Sequence, residues 1–334
     1  MAPLPIAIHN CGDIAPSDWR FLEGRVPGVT ARWSFQTSTP ANALERAIRR
    51  PNLARLRACW LTAWRARRGD VIITHLPWTT WWVGRFSQLI GSRARHLAFS
   101  FNFTEIPSGA RLRGMRRAFR QVERFVVYSR AEREAYTQAF GISAERIDVL
   151  PWAMQTPDTG SDAPWVEGPY ICAIGGEGRD YASLLAAAKR LPDIPLVLAV
   201  RPHNLAGLDV PTHVRVFVNV PNTQFWNIVR HSAFAVVPLL RPDTACGHIT
   251  LVGAMKLGKA VVSTYSRGTE DYISHDRTAL MSDAGDVDAL AGNIRRLWSD
   301  PALRARMEAA ARHDGAVRHD ELRWADYLRD FLLG

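Results

Sequence analysis

Cysteine is scarce. Four residues (Cys11, Cys59, Cys172, Cys246) are scattered over 334 positions with no Cys-x-x-Cys pair, which excludes a disulfide framework and a zinc knuckle. No apolar run reaches the roughly 18 residues that a membrane-spanning helix needs. The opening MAPLPIAIHNCGDIAP has no basic n-region and too short an apolar run for a secretory signal. No Asp-x-Asp cluster stands at the end of a strand-like run, so neither a metal nor a cofactor is called for. Low-complexity segments and short-period repeats are missing too, which excludes solenoids and arrays. One local absence is informative in itself: no acid occurs between Asp243 and Glu270, whereas Lys256, Lys259 and Arg267 do. The expectation is a reduced, cytoplasmic chain, with attachment to the inner face of a membrane left open.

What is present is enough apolar residue for sizeable cores, 47%, and a basic balance of +10. A basic chain favours anionic partners: nucleotides, nucleic acid or an anionic membrane. Nucleic acid is disfavoured, because no recognition motif occurs and the basic residues are spread along the chain. Short apolar runs alternate with helical periodicity in both halves, the pattern of α/β domains with parallel sheets. Residues 1–155 are predicted as one domain and 168–315 as a second. The Pro- and Gly-rich stretch 151–169 is the linker candidate, and 316–334 is a last amphipathic helix.

In the first half, a strand from Pro5 to His9 runs into a glycine turn at Asn10–Asp13. A buried strand, Asp70 to His75, ends in a histidine and is followed by Trp78, Trp81 and Trp82. Read from the residues alone, His75 is a loop histidine bonded to backbone. The tryptophans are core, a sugar-stacking wall or a membrane anchor. A further strand closes at Phe101-Asn102-Phe103, with Glu105 beyond it as a surface acid or an acceptor-binding group. Residues 109–124 read as one basic helix with arginines at 111, 113, 116, 117, 120 and 124, either solvated or docked on anionic lipid.

In the second half, Gly175-Gly176-Glu177-Gly178-Arg179 follows a strand, and glycines there let backbone N–H groups approach a phosphate. Arg179 adds a fork suited to phosphate oxygens, and Arg201 ends the next strand. The stretch Thr244–Thr269, TACGHITLVGAMKLGKAVVSTYSRGT, reads as loop, helix, turn, strand and glycine loop. Its helix is expected to start near Gly247 and stop at Gly258. Such a helix start, with His248 and Thr250 beside it and no carboxylate near, suits an anion. An ordinary βαβ unit with a solvated loop is the other reading.

The residues Gly247, Ala254-Met255, Gly258-Lys259, Val261-Val262, Gly268, Asp271-Tyr272-Ile273, Gly285-Asp286 and Ala289-Leu290 resemble the donor-binding core of the family-4-like retaining glycosyltransferases. The resemblance implies a GT-B fold, two doubly wound Rossmann-like domains facing across a cleft. It implies transfer of a hexose from a nucleotide-diphosphate sugar, of UDP or GDP type, to a hydroxyl of a lipid-linked or saccharide acceptor. It implies catalytic roles for His75, Arg179 and Lys259. Donor binding would involve Gly12, Gly176, Arg179, Arg201, Cys246, Gly247, His248, Ile249, Thr250 and Gly253, and acceptor binding Trp78, Asn102 and Glu105. The chain departs from the family at two glutamates, replaced here by Ala245 and Gly253. The second usually grips the nucleotide ribose, so Thr250 or Thr269 is expected to substitute, and Gly253→Glu to tighten nucleotide binding. A non-catalytic partner of an active enzyme is the competing reading.

Overall fold

Apolar runs too short for helices and helices apolar on one face leave the chain one economical solution: parallel strands buried on both sides by crossover helices. The computed structural model describes residues 5–12, 20–48, 52–103, 105–243 and 246–334. Asp13, Pro51, Thr244 and Ala245 lie outside the described residues.

The first unit comprises Met1–Leu150 and Leu322–Gly334. Its elements are β1 (Ile6–Gly12), β2 (Ala31–Thr37), α1 (Ala43–Ala47), α2 (Leu53–Arg65), β3 (Val71–His75), α3 (Pro77–Ile90), β4 (Arg95–Phe99), α4 (Gly109–Ala118), β5 (Arg124–Val127), α5 (Arg130–Phe140) and β6 (Ile147–Val149). The second unit, Pro151–Glu321, holds β7 (Ile171–Ile174), α6 (Tyr181–Lys189), β8 (Leu196–Val200), β9 (Val214–Val218), α7 (Asn222–His231), β10 (Ala235–Val237), α8 (His248–Lys256), β11 (Val261–Thr264), β12 (Ala279–Ser282), α9 (Val287–Ser299) and α10 (Pro301–Arg318). The last helix, α11 (Leu322–Leu333), belongs to the first unit.

Each unit is built on a six-stranded sheet, ordered β2-β1-β3-β4-β5-β6 and β12-β11-β10-β7-β8-β9, and the pairings are parallel. All five residues of β3 and of β8 are buried, as strands covered on both faces require. Helix α11 covers one face of the first sheet: Trp324, 2% exposed, meets Phe99 edge-on at 5.3 Å, and Tyr327 donates to Asp148 at 2.6 Å.

Four expectations change. Strand β1 continues through Gly12, paired with Thr37, so Asn10–Gly12 is strand and not turn. The basic helix stops at Ala118, and a single 3-10 turn over Phe119–Gln121 leads into β5. Arg124 therefore belongs to the sheet, its Nε donating to Asp148 of the adjacent strand at 2.8 Å. The linker candidate is strapped to the second unit. Buried Asn227 of α7 donates to the carbonyls of Ser161 and Ala163 at 3.0 Å each, and accepts from Trp165 N at 2.8 Å. Finally, α10 runs past Gly315, whose missing side chain lets Met255 and Lys256 backbone pass about where a Cβ would stand, at 3.0–3.1 Å.

Candidate functional site

In a doubly wound sheet, loops at the carboxyl ends of the strands converge, and ligands bind there. In the second unit those loops bring together Gly175, Gly176, Arg179, Cys246, Gly247 and Thr250. Both Gly175 and Gly247 have positive φ, +101° and +93°. A Cβ on Gly175 would lie 3.1 Å from Arg179 Nη2, and one on Gly247 3.7 Å from Nη1. The guanidinium is thus seated between two glycines. Nη2 donates to Thr250 Oγ1 at 3.0 Å, and Nη1 donates to Glu177 O at 2.9 Å and to Cys246 Sγ at 3.5 Å. Cys246 in turn donates to Glu177 O at 3.1 Å, and burial pushes its thiol pKa up. Gly247 is the N-cap of α8 and offers no side-chain cap; the first turn carries no acid. A fixed cation therefore stands beside a helix start whose N–H groups lack the usual cap, an arrangement that stabilises negative charge.

Asn204, which the sequence did not single out, ties two of these loops together. It donates to Gly176 O at 2.9 Å and accepts from Arg201 N at 3.0 Å. The Arg201 side chain is exposed and lies 3.7 Å from Glu177. Ile249 is 51% exposed at the start of α8.

Three sequence expectations need correction here. Lys259 stands just before β11, at the amino end of the sheet, and its Nζ donates to Ser232 O at 2.8 Å. It is on the wrong side of the sheet for the glycine loops, because the turn at Gly258 has already brought the chain back to the start of the next strand. His248 turns inward: Nε2 donates to Gly268 O at 2.8 Å, and the ring stacks on Tyr272 at 4.5 Å. Burial lowers its pKa to about 4, so it is neutral and supplies no charge to an anion. Gly253 lies deep in α8, where a Cβ would come within 2.2 Å of Trp226 Cη2. Trp226 of α7 is 3% exposed, so its indole occupies the place from which a carboxylate at 253 would project. Thr269 is fully buried and donates to Ser266 O.

In the first unit, His75 at the end of β3 is 1% exposed and donates from Nε2 to Asn10 Oδ1 at 2.7 Å. Burial takes its pKa down to about 3 and keeps the ring neutral. Leu76 follows with φ +71°, and Ser100, just beyond β4, has φ +59°. Both are conformations that side chains other than glycine seldom adopt. Leu76 N donates to Ser100 O at 3.3 Å, and the hydroxyls of Thr79 and Thr80 donate to Leu76 O at 2.8 and 3.0 Å. Strained backbone on neighbouring strand ends, held by several bonds, is a common mark of a working site. No residue type in the sequence signals it.

Asn102 donates to Glu132, a carboxylate 2% exposed that also accepts from Tyr128 N at 3.0 Å, Ser129 Oγ at 2.9 Å and Tyr136 Oη at 3.3 Å. Burial nevertheless raises its pKa to about 7. The Ser129-x-x-Glu132 spacing is a helix-start signature that would have located it. Glu105 is exposed. Gly12 is buried in β1. Trp78 is not an open wall: its ring lies 5.7 Å from that of Trp81 and is covered by the Arg111 guanidinium at 5.2 Å.

Residues 12–153 match the glycosyl transferase 4-like domain, and residues 180–314 match the glycosyl transferases group 1. Over 75 residues the chain is 37% identical to the lipopolysaccharide core biosynthesis glycosyltransferase LpsD of Rhizobium meliloti; the match spans 22% of this chain and 22% of that protein. Anabaena Alr3699/HepE, solved in complex with UDP, superposes with a TM-score of 0.70 at 14% identity, covering 99% of each chain. A UDP-forming α,α-trehalose-phosphate synthase from Burkholderia xenovorans gives 0.71 at 14%, again over 99% of each chain. At such identity the two structures speak for the fold alone.

Proposed function

We propose, on the premise that its two halves carry the glycosyl transferase 4-like and group 1 signatures, that the chain is a glycosyltransferase using a nucleotide-diphosphate sugar. It transfers a hexose, with retention, to a hydroxyl of a lipid-linked or saccharide acceptor. The observation that carries this reading is Arg179, seated between Gly175 and Gly247 at the uncapped start of α8. When the sugar leaves, the bond from its anomeric carbon to the diphosphate breaks and negative charge grows on the phosphate oxygen. A preorganised guanidinium and helix N–H groups stabilise that charge more than they stabilise the intact donor. Anabaena Alr3699/HepE, similar in fold, is solved with UDP and with UDP-glucose, which makes a uridine donor the first to test, and the LpsD likeness points the search for an acceptor to glycans and glycolipids.

The test is a thermal-shift panel of UDP, GDP, dTDP and ADP sugars, since bound ligand stabilises the folded state by mass action. One class is expected to raise the melting temperature. Arg179→Ala should weaken that binding by about 1.5–3 kcal/mol, the scale of a charged hydrogen bond, and Lys259→Ala should leave it unchanged. Equal affinity in the wild type and Arg179→Ala would remove the diphosphate from this loop. A second reading, a non-catalytic partner of an active glycosyltransferase, is favoured by Trp226 filling the space beside Gly253. Stabilisation by none of the four sugars would select it.

A further inference from the structure

We propose that the outer face of α2, α3 and α4 is a docking surface for an anionic lipid bilayer. It deepens the reading above by delivering a lipid-linked acceptor, but the docking is a property of the first unit alone.

The positive charge of the chain is one-sided. Residues 1–150 carry 23 arginines, no lysine and 11 carboxylates, a net of +12; residues 151–334 carry 19 basic and 21 acidic residues, a net of −2. Within the first unit the charge concentrates further. The three helices contain eight arginines and no Asp or Glu. They pack side by side: Trp60 of α2 meets Phe86 of α3 edge-on at 5.4 Å, and Gln88 of α3 donates to Arg117 O of α4 at 2.8 Å.

The basic side chains of the second unit are largely neutralised in pairs. Lys189 meets Asp209 and Arg230 meets Asp162 at 2.7 Å, Arg296 meets Asp276 at 2.9 Å, and Arg190 and Arg295 pair with Asp288 and Asp193. On the helical face of the first unit Arg65, Arg85, Arg113, Arg117 and Arg120 are exposed, and none makes an ion pair with a described residue. Like charges held together without counter-charges repel, and a surface of phosphates relieves that repulsion.

Apolar groups stand among them. Trp64 is 54% exposed and Leu89 75% exposed. Trp64 stacks on Trp60 at 5.9 Å, so it is presented rigidly, and Arg85 lies over Trp82 at 5.1 Å. Indole, leucine and arginine together suit the boundary between headgroups and acyl chains. A nucleic acid would use the arginines and gain nothing from Leu89, so the bilayer is the occupant that accounts for both features.

The experiment is co-sedimentation of the full chain with vesicles of phosphatidylcholine alone or with added phosphatidylglycerol. Binding is expected only to the anionic vesicles at low salt, with release as salt rises. Arg113→Ala with Arg117→Ala should weaken it about 25-fold, roughly fivefold for each arginine near the surface. Trp64→Ser with Leu89→Ser should also weaken it. Both double variants should melt and bind nucleotide sugar as the wild type does, which separates failure of docking from failure of the glycosyltransferase reading. No binding to anionic vesicles at low salt overturns the proposal. So does vesicle binding unchanged in either double variant. Retention on duplex RNA together with vesicle binding indifferent to Trp64→Ser and Leu89→Ser would assign the face to nucleic acid instead.

Discussion

A glycine inside a helix ordinarily weakens it by about 1 kcal/mol relative to alanine, yet Gly253 sits in the middle of α8 with a tryptophan edge where its side chain would begin. Exchange for a larger residue therefore acts in the reverse of the direction that propensity suggests. Gly253→Ala is expected to destabilise the protein by about 1–3 kcal/mol through overpacking, and Gly253→Glu by more. Trp226→Leu opens space beside it, so the double change Gly253→Ala with Trp226→Leu should cost less than the two single changes added together. Urea titration of the four proteins decides the matter. A stabilising Gly253→Ala would mean that the indole does not stand against α8. That residue 253 is a glycine was plain in the sequence, but the ring standing against it was not, because Trp226 is 27 positions away and only packing joins them.

At the scale of single elements, strand ends and helix starts hold neutral buried groups whose titration links stability to pH. His75 and His96 have folded pKa values of about 3 and His248 of about 4, each lowered chiefly by burial, against an unfolded value near 6.5. A depressed histidine is neutral in the folded state at pH values where the unfolded chain already binds the proton. Its contribution is complete above the unfolded pKa and is lost as pH falls toward 3–4, at up to about 1.4 kcal/mol per pH unit for each histidine. Glu132, raised to about 7, works in the opposite sense and costs stability as pH climbs from its unfolded value through 7. Three histidines against one carboxyl leave a net loss on acidification. Unfolding midpoints are expected to fall between pH 6.5 and pH 5, and His96→Gln should flatten that fall. Midpoints constant across the interval would contradict the neutral burial of these rings. The elements themselves were largely legible: β8 and β9 begin and end where the apolar runs do, and Gly258 closes α8. What was hidden depended on contacts across the sheet. Arg124 looks like one more helical arginine until Asp148 is seen beside it, and the need for a glycine at 315 is hidden until the α8 backbone is seen against it. The strained pair Leu76 and Ser100 belongs to the same class, since only the finished sheet holds two such turns together.

For the whole molecule, the assignment of α11 to the first unit matters most. A protein ending at Glu321 would leave the sheet face at Phe99 and Tyr128 without Trp324. Residues 1–150 alone are expected to be insoluble or loosely packed, whereas 151–321 alone should melt cooperatively. Soluble yield and amide-exchange protection measure both, and a cooperatively folded 1–150 would show α11 to be dispensable. The same assignment sets a schedule for the nascent chain. At translation rates of ~5–20 residues per second, the 171 positions between Leu150 and Leu322 take about 9–34 s to synthesise. For most of that interval the first sheet is out of the ribosome with one apolar face uncovered, while the second unit forms behind it. A cell making this protein must shelter that face, so chaperone occupancy on translating ribosomes should rise once β6 has emerged and fall once α11 has emerged.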